Sequence, residues 1–405
     1  MSAAEQRQGT SDPFERSQLL ARAVGFGDDL VKVRRAVHRR PELGFEEKET
    51  AALVVAHAKR WMPHATTRAI AETGVLVELG EGPGTVMLRG CLDALPVQEA
   101  GGLPFASETP GISHACGHDG QVAVLLGALR LLVDDPPPIR VVGLFQPAEE
   151  LDTGARACLA DGLLDGLEAA MILGFHGHPA LDAGTVSVQA GPVMASITTL
   201  RCEISGREGH GAEPHLATDA ATAAASLVLD WQVALARRVD PRDAVVLSIG
   251  RIEAGVTPNV IPGRAQVEGT LRSLDPASEG PLTQILQEVA RAVEIRTGTT
   301  VRLRAETVVP AVVNDPAATE VARRGAEVVV GTDDLVKADP TLGGDDFAWL
   351  QREVPGCYLM IGERRQDRPA YGWHDPSYDL DERSLPVGAA VLAAAVHEAA
   401  RGGLR

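Results

Sequence analysis

Three short apolar runs in this chain each stop at a group that can do chemistry. TVMLRG (85–90) runs into CLDALP, IRVVGLF (139–145) into QPAEE, and AAMILGF (169–175) into HGHP. Runs of this length, apolar throughout and not alternating, read as strands buried on both faces. Between the first two lies QVAVLLGALRLLV, an apolar stretch of helical length. Strands alternating with helices predict an α/β fold whose central sheet is mainly parallel and covered on both faces. Ligands of such sheets sit beyond the carboxyl ends of the strands. Asp93, then Glu149 and Glu150, then His176 therefore fall on one edge, where side chains distant in sequence can converge.

The pattern changes after about residue 191. ASITTLRCEISG alternates as a half-buried strand does, and DAATAAASLVLDWQVALARR follows as an Ala-rich helix. AVVLSIGRIEAG and AQVEGTLRSL are two further alternating strands, and PLTQILQEVARAVEIRTG is an amphipathic helix. Strand, helix, strand, strand, helix, strand is the order of a small α+β domain of split, ferredoxin-like type. The expected organisation is a catalytic domain over 1–190 and 306–405, with a second domain inserted over 191–305. Ahead of the first strand, apolar residues recur at helical spacing from Arg16 to Arg60, broken by the turn RRPELG at 39–44. The first dozen residues read as disordered.

A chain of 405 residues has room for two or three domains and a core that needs no staples. Its formal charge of −17 argues against a nucleic-acid partner, whose phosphates it would repel. Five cysteines, scattered and odd in number, are not a disulfide framework and suit a reducing compartment. The N-terminus, MSAAEQRQGTSDPFERSQ, lacks the apolar core of a signal peptide. The apolar run at 122–129 is far shorter than a membrane span. A cytoplasmic protein without membrane partners is expected.

The segment SHACGHDG (113–120) sets Cys116 and His118 two apart, in the stretch that follows the strand ending near Asp93. His374, in the late segment GWHDPSYD, belongs to a loop able to reach the same edge. An isolated histidine is commonly a satisfied core residue, and adjacent glutamates are commonly a solvated pair. Here five groups of metal-binding type fall at strand ends or in loops. Thiolate, imidazole and carboxylate together suit zinc, manganese, cobalt or nickel better than calcium or magnesium. The Glu149–Glu150 pair then divides its labour. One carboxylate binds metal, and its neighbour takes a proton from the water that the metal acidifies. Metal-assisted hydrolysis of an amide is the chemistry that follows.

These residues resemble the aminoacylase/carboxypeptidase superfamily of di-metal hydrolases, in the amidohydrolase branch of hippurate hydrolases, N-acyl-amino-acid deacylases and auxin-conjugate hydrolases. The resemblance runs from HRRPELGFEE at residue 38 to HDPSYDLDERSL ending at 385, with LDALPVQE, HACGHDG, QPAEE, GHGAEPH, NVIP, GTLRS and GGDDF in the family's order. It implies two divalent metal ions held by Cys116, His118, Glu150, His176 and His374, with Glu149 as general base and Asp93 orienting a ligand. It implies that the inserted domain is a lid and a homodimer interface, and that His210 reaches the partner's active site and polarises the scissile carbonyl. Asn259 and Arg272 would hold the substrate, Arg being suited to bidentate capture of a carboxylate. His38 and His215 are read as structural, His114 as a support behind the ligands, and His178 has no motif that makes it a ligand.

The implied reaction is hydrolysis of N-acyl amino acids to a carboxylic acid and an amino acid. The alternatives are a dipeptidase or carboxypeptidase of the same family, a metal- or ligand-binding protein of this fold without turnover, and deamination or decarbamoylation of a small molecule. Four departures from the family's pattern bear on these. Cys91-Leu92-Asp93 stands for Asp-Met-Asp, Gln121 for a second histidine, Asp345 for a glutamate, and FHGHP (175–179) for LHVWP.

Overall fold

The computed structural model describes residues 17–403, so the N-terminal segment read as disordered lies outside the described residues. The chain divides into two compact units. One runs to Gly191 and resumes over Val313–Asp339 and from Trp349 onward; the other comprises Pro192–Val312 and Pro340–Ala348.

The first unit is built on a seven-stranded sheet in the order Thr66–Ile70, Gly74–Leu79, Arg140–Gln146, Thr85–Cys91, Ala169–Asp182, Gly356–Arg364, Val186–Ser187. The four middle strands run parallel, and the pairings at either end are antiparallel. The apolar runs occupy the centre for the expected reason: every residue of Thr85–Cys91 is buried. The hairpin Thr66–Leu79 escapes a sequence reading. TTRAI has no apolar run, and its turn places Ala71 and Glu72 at φ of 47° and 68° without the Asn-Gly or Asp-Gly pair that announces such turns.

Helices Gly27–Arg39, His118–Asp134 and Ser384–Glu398 belong to the same unit. Ser384–Glu398 is buried without interruption through Val396, as a helix apolar on all sides must be. His118–Asp134 begins after Gly117, whose φ of 85° disfavours any side chain. Leu126, Phe145, Leu173, Leu359 and Val391 meet in one core, which ties these helices to the sheet.

The second unit is a four-stranded antiparallel sheet, ordered Val245–Ala254, Arg264–Ser273, Ser196–Ser205, Thr300–Val309. Counted along the chain this is second, third, first, fourth, the split order of a ferredoxin-like domain. Helices Ala220–Arg238 and Glu279–Thr297 share its core, where Trp231 packs with Leu227, Val267 and Leu286. Trp231 Nε1 also donates to Leu286 O at 3.0 Å, so its one polar atom is satisfied. The unit extends past residue 305 because its fourth strand pairs with its first through Val309. The segment 340–348 is joined to it by backbone bonds from Thr341 N to Val193 O and from Ala195 N to Gly343 O.

Candidate metal centre

The first unit's parallel strands deliver donors to one edge, except that the strand expected to stop at residue 175 runs on through His176 to Asp182. Asp93 follows the strand ending at Cys91, Glu149 and Glu150 form a single 3₁₀ turn after the strand ending at Gln146, and His176 lies within Ala169–Asp182. Glu149 and Glu150 are presented by a turn held between two left-handed residues, Ala148 at φ 52° and Asp152 at φ 59°. His374, itself at φ 67°, is tied to the Cys116 segment by its N–H, which donates to Ala115 O at 2.8 Å.

All five expected ligands converge. Cys116, His118 and His176 form one group with donor atoms within 4.8 Å of one another, and Cys116, Glu150 and His374 form a second. Cys116 Sγ lies 3.4 Å from His176 Nε2, and His374 Nε2 lies 3.5 Å from Glu150 Oε2. Glu149 joins His118 and Glu150 in a third group, with Oε2 3.7 Å from His118 Nε2.

Both buried histidines present the same nitrogen. His118 Nδ1 donates to Asp93 O at 2.9 Å, and Asp93 Oδ1 lies 3.2 Å from that nitrogen. His176 Nδ1 donates to Gly177 O at 2.8 Å. Nε2 of each thus faces the donor cluster, and His118 Nε2 is buried with no hydrogen-bond partner among the described residues. A buried polar nitrogen in that condition is costly in a fold but suits a metal ligand. Asp93 Oδ2 also accepts the Glu150 N–H at 2.8 Å, so one carboxylate touches a histidine and a glutamate of the cluster.

The electrostatics fit a cation. Burial and the neighbouring Glu150 and Glu149 push the Cys116 thiol well up, so a cation is what would stabilise a thiolate there. Burial alone would depress His118, but Asp93 and Glu150 outweigh it and hold the imidazole at about 9.

The remaining expected residues lie elsewhere. His210, Asn259 and Arg272 belong to the second unit. His210 pairs with Val260 across two short strands, and the Gly211 N–H donates to Asn259 O at 2.9 Å, so His210 and Asn259 are neighbours. Both are exposed. Arg272, on Arg264–Ser273, donates to Leu342 O at 2.8 Å. Asp345 is buried in the same unit and accepts the Phe347 N–H at 2.8 Å.

Among the other histidines, His178 is half-buried against Trp373, at 5.4 Å between ring centroids, and joins no donor group among the described residues. His215 is exposed on the turn Pro214–Leu216. His114 is buried, and neither ring nitrogen has a hydrogen-bond partner among the described residues. Two of the sequence departures touch: Gln121 Oε1 accepts the Cys91 N–H at 2.9 Å.

Sequence reasoning missed Glu363 and Tyr378, which are buried together in the first unit, with the Tyr378 hydroxyl donating to Glu363 Oε1. Burial pushes the Glu363 carboxyl up to about 8, against that hydrogen bond. The only signal was an acidic residue closing the apolar run CYLMIG, which reads equally as a strand end.

The model of Peptidase family M20/M25/M40 matches residues 87–398. A protein of Rhodococcus jostii (strain RHA1), whose name proposes a glutamate–cysteine ligase 2-3, is 37% identical over 90% of this chain, and the chain spans only 46% of that protein's length. The N-acetyldiaminopimelate deacetylase of Exiguobacterium sibiricum is 33% identical over 88% of this chain and 95% of its own. Among solved structures, the Bacillus subtilis YxeP protein, described as a dinuclear metal-binding peptidase of the M20 family, is 31% identical. It superposes at a TM-score of 0.81, covering 93% of this chain and 99% of that one.

Proposed function

Because the chain belongs to Peptidase family M20/M25/M40, we propose that it is a metal-dependent amidohydrolase that cleaves N-acyl amino acids to a carboxylic acid and an amino acid. The observation that carries this reading is a pair of three-residue donor groups that share only Cys116. Two divalent ions would suit that pattern, with Cys116, His118, His176, Glu150 and His374 as the residues that would hold them. The mixed donor set suits zinc, manganese, cobalt or nickel. Bound ions of this kind supply Lewis-acid polarisation and lower the pKa of water. The names of the deacetylase relative and of the dinuclear B. subtilis protein support the same reading.

This chain's own residues then have defined tasks. Glu149, the carboxylate outside the two groups that share Cys116, takes a proton from the attacking water and passes it to the leaving amine. Asp93 orients His118 through Nδ1 and holds the Glu150 backbone. In the second unit, Arg272 offers a planar fork for the substrate carboxylate and Asn259 an amide, and His210 polarises the scissile carbonyl of the substrate held at a partner subunit's site. The second unit is the lid and the homodimer contact. Its strand Val245–Ala254 ends the four-stranded sheet, and Leu229, Val233 and Ile252 of this unit are exposed, which suits association of copies. The setting is cytoplasmic, consistent with five buried cysteines, none of them in a disulfide among the described residues. No described helix is long and apolar enough to cross a membrane.

The test is release of free amine from N-acyl amino acids and dipeptides after loading with manganese, cobalt or zinc, with and without chelator. Chelator-sensitive release, lost in Glu149→Gln while bound metal is retained, is expected. Substantial turnover by metal-loaded Glu149→Gln would remove Glu149 from the role of base. Silence of the wild type with metal bound would favour a binding protein.

A further inference from the structure

Gly177 is a junction between two of the donors. Its carbonyl accepts from His176 Nδ1 and, at 3.0 Å, from Trp373 Nε1, the neighbour of His374. Its Cα is covered by the Glu363 carboxylate, which a Cβ at position 177 would strike. Glu363 Oε1 in turn accepts from the Tyr378 hydroxyl. That hydroxyl occupies the space a Cβ on Gly117 would need, and Gly117 lies between Cys116 and His118. A continuous line of contacts therefore runs from the Cys116–His118 turn through Tyr378 and Glu363 to the His176 turn. Both side chains are nearly closed to solvent, at 3% and 4% exposure.

A buried carboxyl group is expensive, and the strand Gly356–Arg364 is otherwise apolar or glycine until its last residue, so an aliphatic side chain would serve the core at lower cost. The pair also requires glycine at 177, where a valine such as the LHVWP pattern carries would collide with Glu363. Resting on the metal reading above, we propose that Glu363 and Tyr378 are positioning residues, a buried strut that sets the separation of the two ligand turns and so the affinity for metal. Groups that orient ligands from behind commonly tune affinity in this way.

Titration of the metal-free full chain with Co²⁺ alone, followed by visible absorption, tests this without recourse to activity. The wild type should bind with a thiolate-to-cobalt charge-transfer band. Tyr378→Phe, which removes one hydroxyl, and Glu363→Ala should weaken Co²⁺ binding roughly 10–100-fold. Glu363→Gln, which keeps the shape and the acceptor, should recover most of the affinity. Should Glu363→Ala not fold, Tyr378→Phe carries the test. Wild-type affinity in Tyr378→Phe and Glu363→Ala, with or without a lower unfolding midpoint, would make the pair an ordinary part of the core and overturn the strut. A wild type that takes up no Co²⁺ would instead overturn the metal reading, and the strut with it.

Discussion

His38 Nδ1 lies 2.8 Å from Asp119 Oδ2, with both side chains buried, and Asp119 is the residue that follows His118. The other His38 nitrogen lies 3.2 Å from Glu99 Oε1. Arg34 Nε donates to the same Asp119 oxygen at 2.8 Å, and the Arg34 guanidinium reaches Asp379 and Glu382 as well. The start of the ligand-bearing helix is thus anchored by charges contributed from the helix Gly27–Arg39 and the late loop.

That anchor predicts a pH dependence. Burial alone would depress His38, but Asp119 and Glu99 outweigh it and hold the imidazole at about 9, although Arg34 opposes them. The unfolded chain releases this proton near ~6.5. The folded value being the higher, the stabilisation is fully present below ~6.5 and lost as pH rises through about 9. His38→Gln should therefore be less stable than the wild type near pH 6, by on the order of 2–3 kcal/mol, with the two converging above pH 9. Urea denaturation at both pH values measures it. A difference that does not shrink with pH would sink the assignment.

The second prediction concerns the turn that carries Glu149. Glu47, fully buried, accepts the Ala148 N–H at 2.8 Å and the Thr73 hydroxyl. Its carboxylate therefore pins a residue held at φ 52° immediately before the base. Glu47→Ala leaves a buried N–H without its acceptor, at a cost of about 1–3 kcal/mol. Because the turn is loosened at Glu149, kcat should fall more than KM rises, and Glu47→Gln, which keeps an acceptor, should retain most of both. An unchanged kcat in Glu47→Ala would show that the turn holds itself.

The third prediction addresses the second unit. If His210 serves the partner's centre, mixing inactive His210→Ala with inactive Glu149→Gln protomers should restore part of the activity, since a mixed dimer assembles one intact centre. Light scattering establishes the dimer, and differently tagged chains isolate the mixed species. A verified heterodimer with no recovery would confine His210 to its own subunit or remove it from catalysis.

Local pattern was enough for much of this protein. Buried strands announce themselves as short continuous apolar runs, and the second unit as alternating strands and helices in a definite order, because each signal is complete within ten to twenty residues. The donors were legible for the same reason: Glu149 and Glu150 follow one strand, Cys116 and His118 lie in the segment after another, and His176 follows the apolar run 169–175, and the topology of a parallel sheet brings such positions to one edge. His374 was legible only through its motif, since a left-handed loop residue carries no periodicity. What only the tertiary structure decided are relationships between segments far apart in the chain. The order of the seven strands, the hairpin at its edge, Arg34 meeting Asp379, and the meeting of Gly177 with Glu363 depend on which surfaces pack together. A single residue, whether a glycine that must lack a Cβ or a glutamate that looks like a strand end, does not name the partner that gives it meaning.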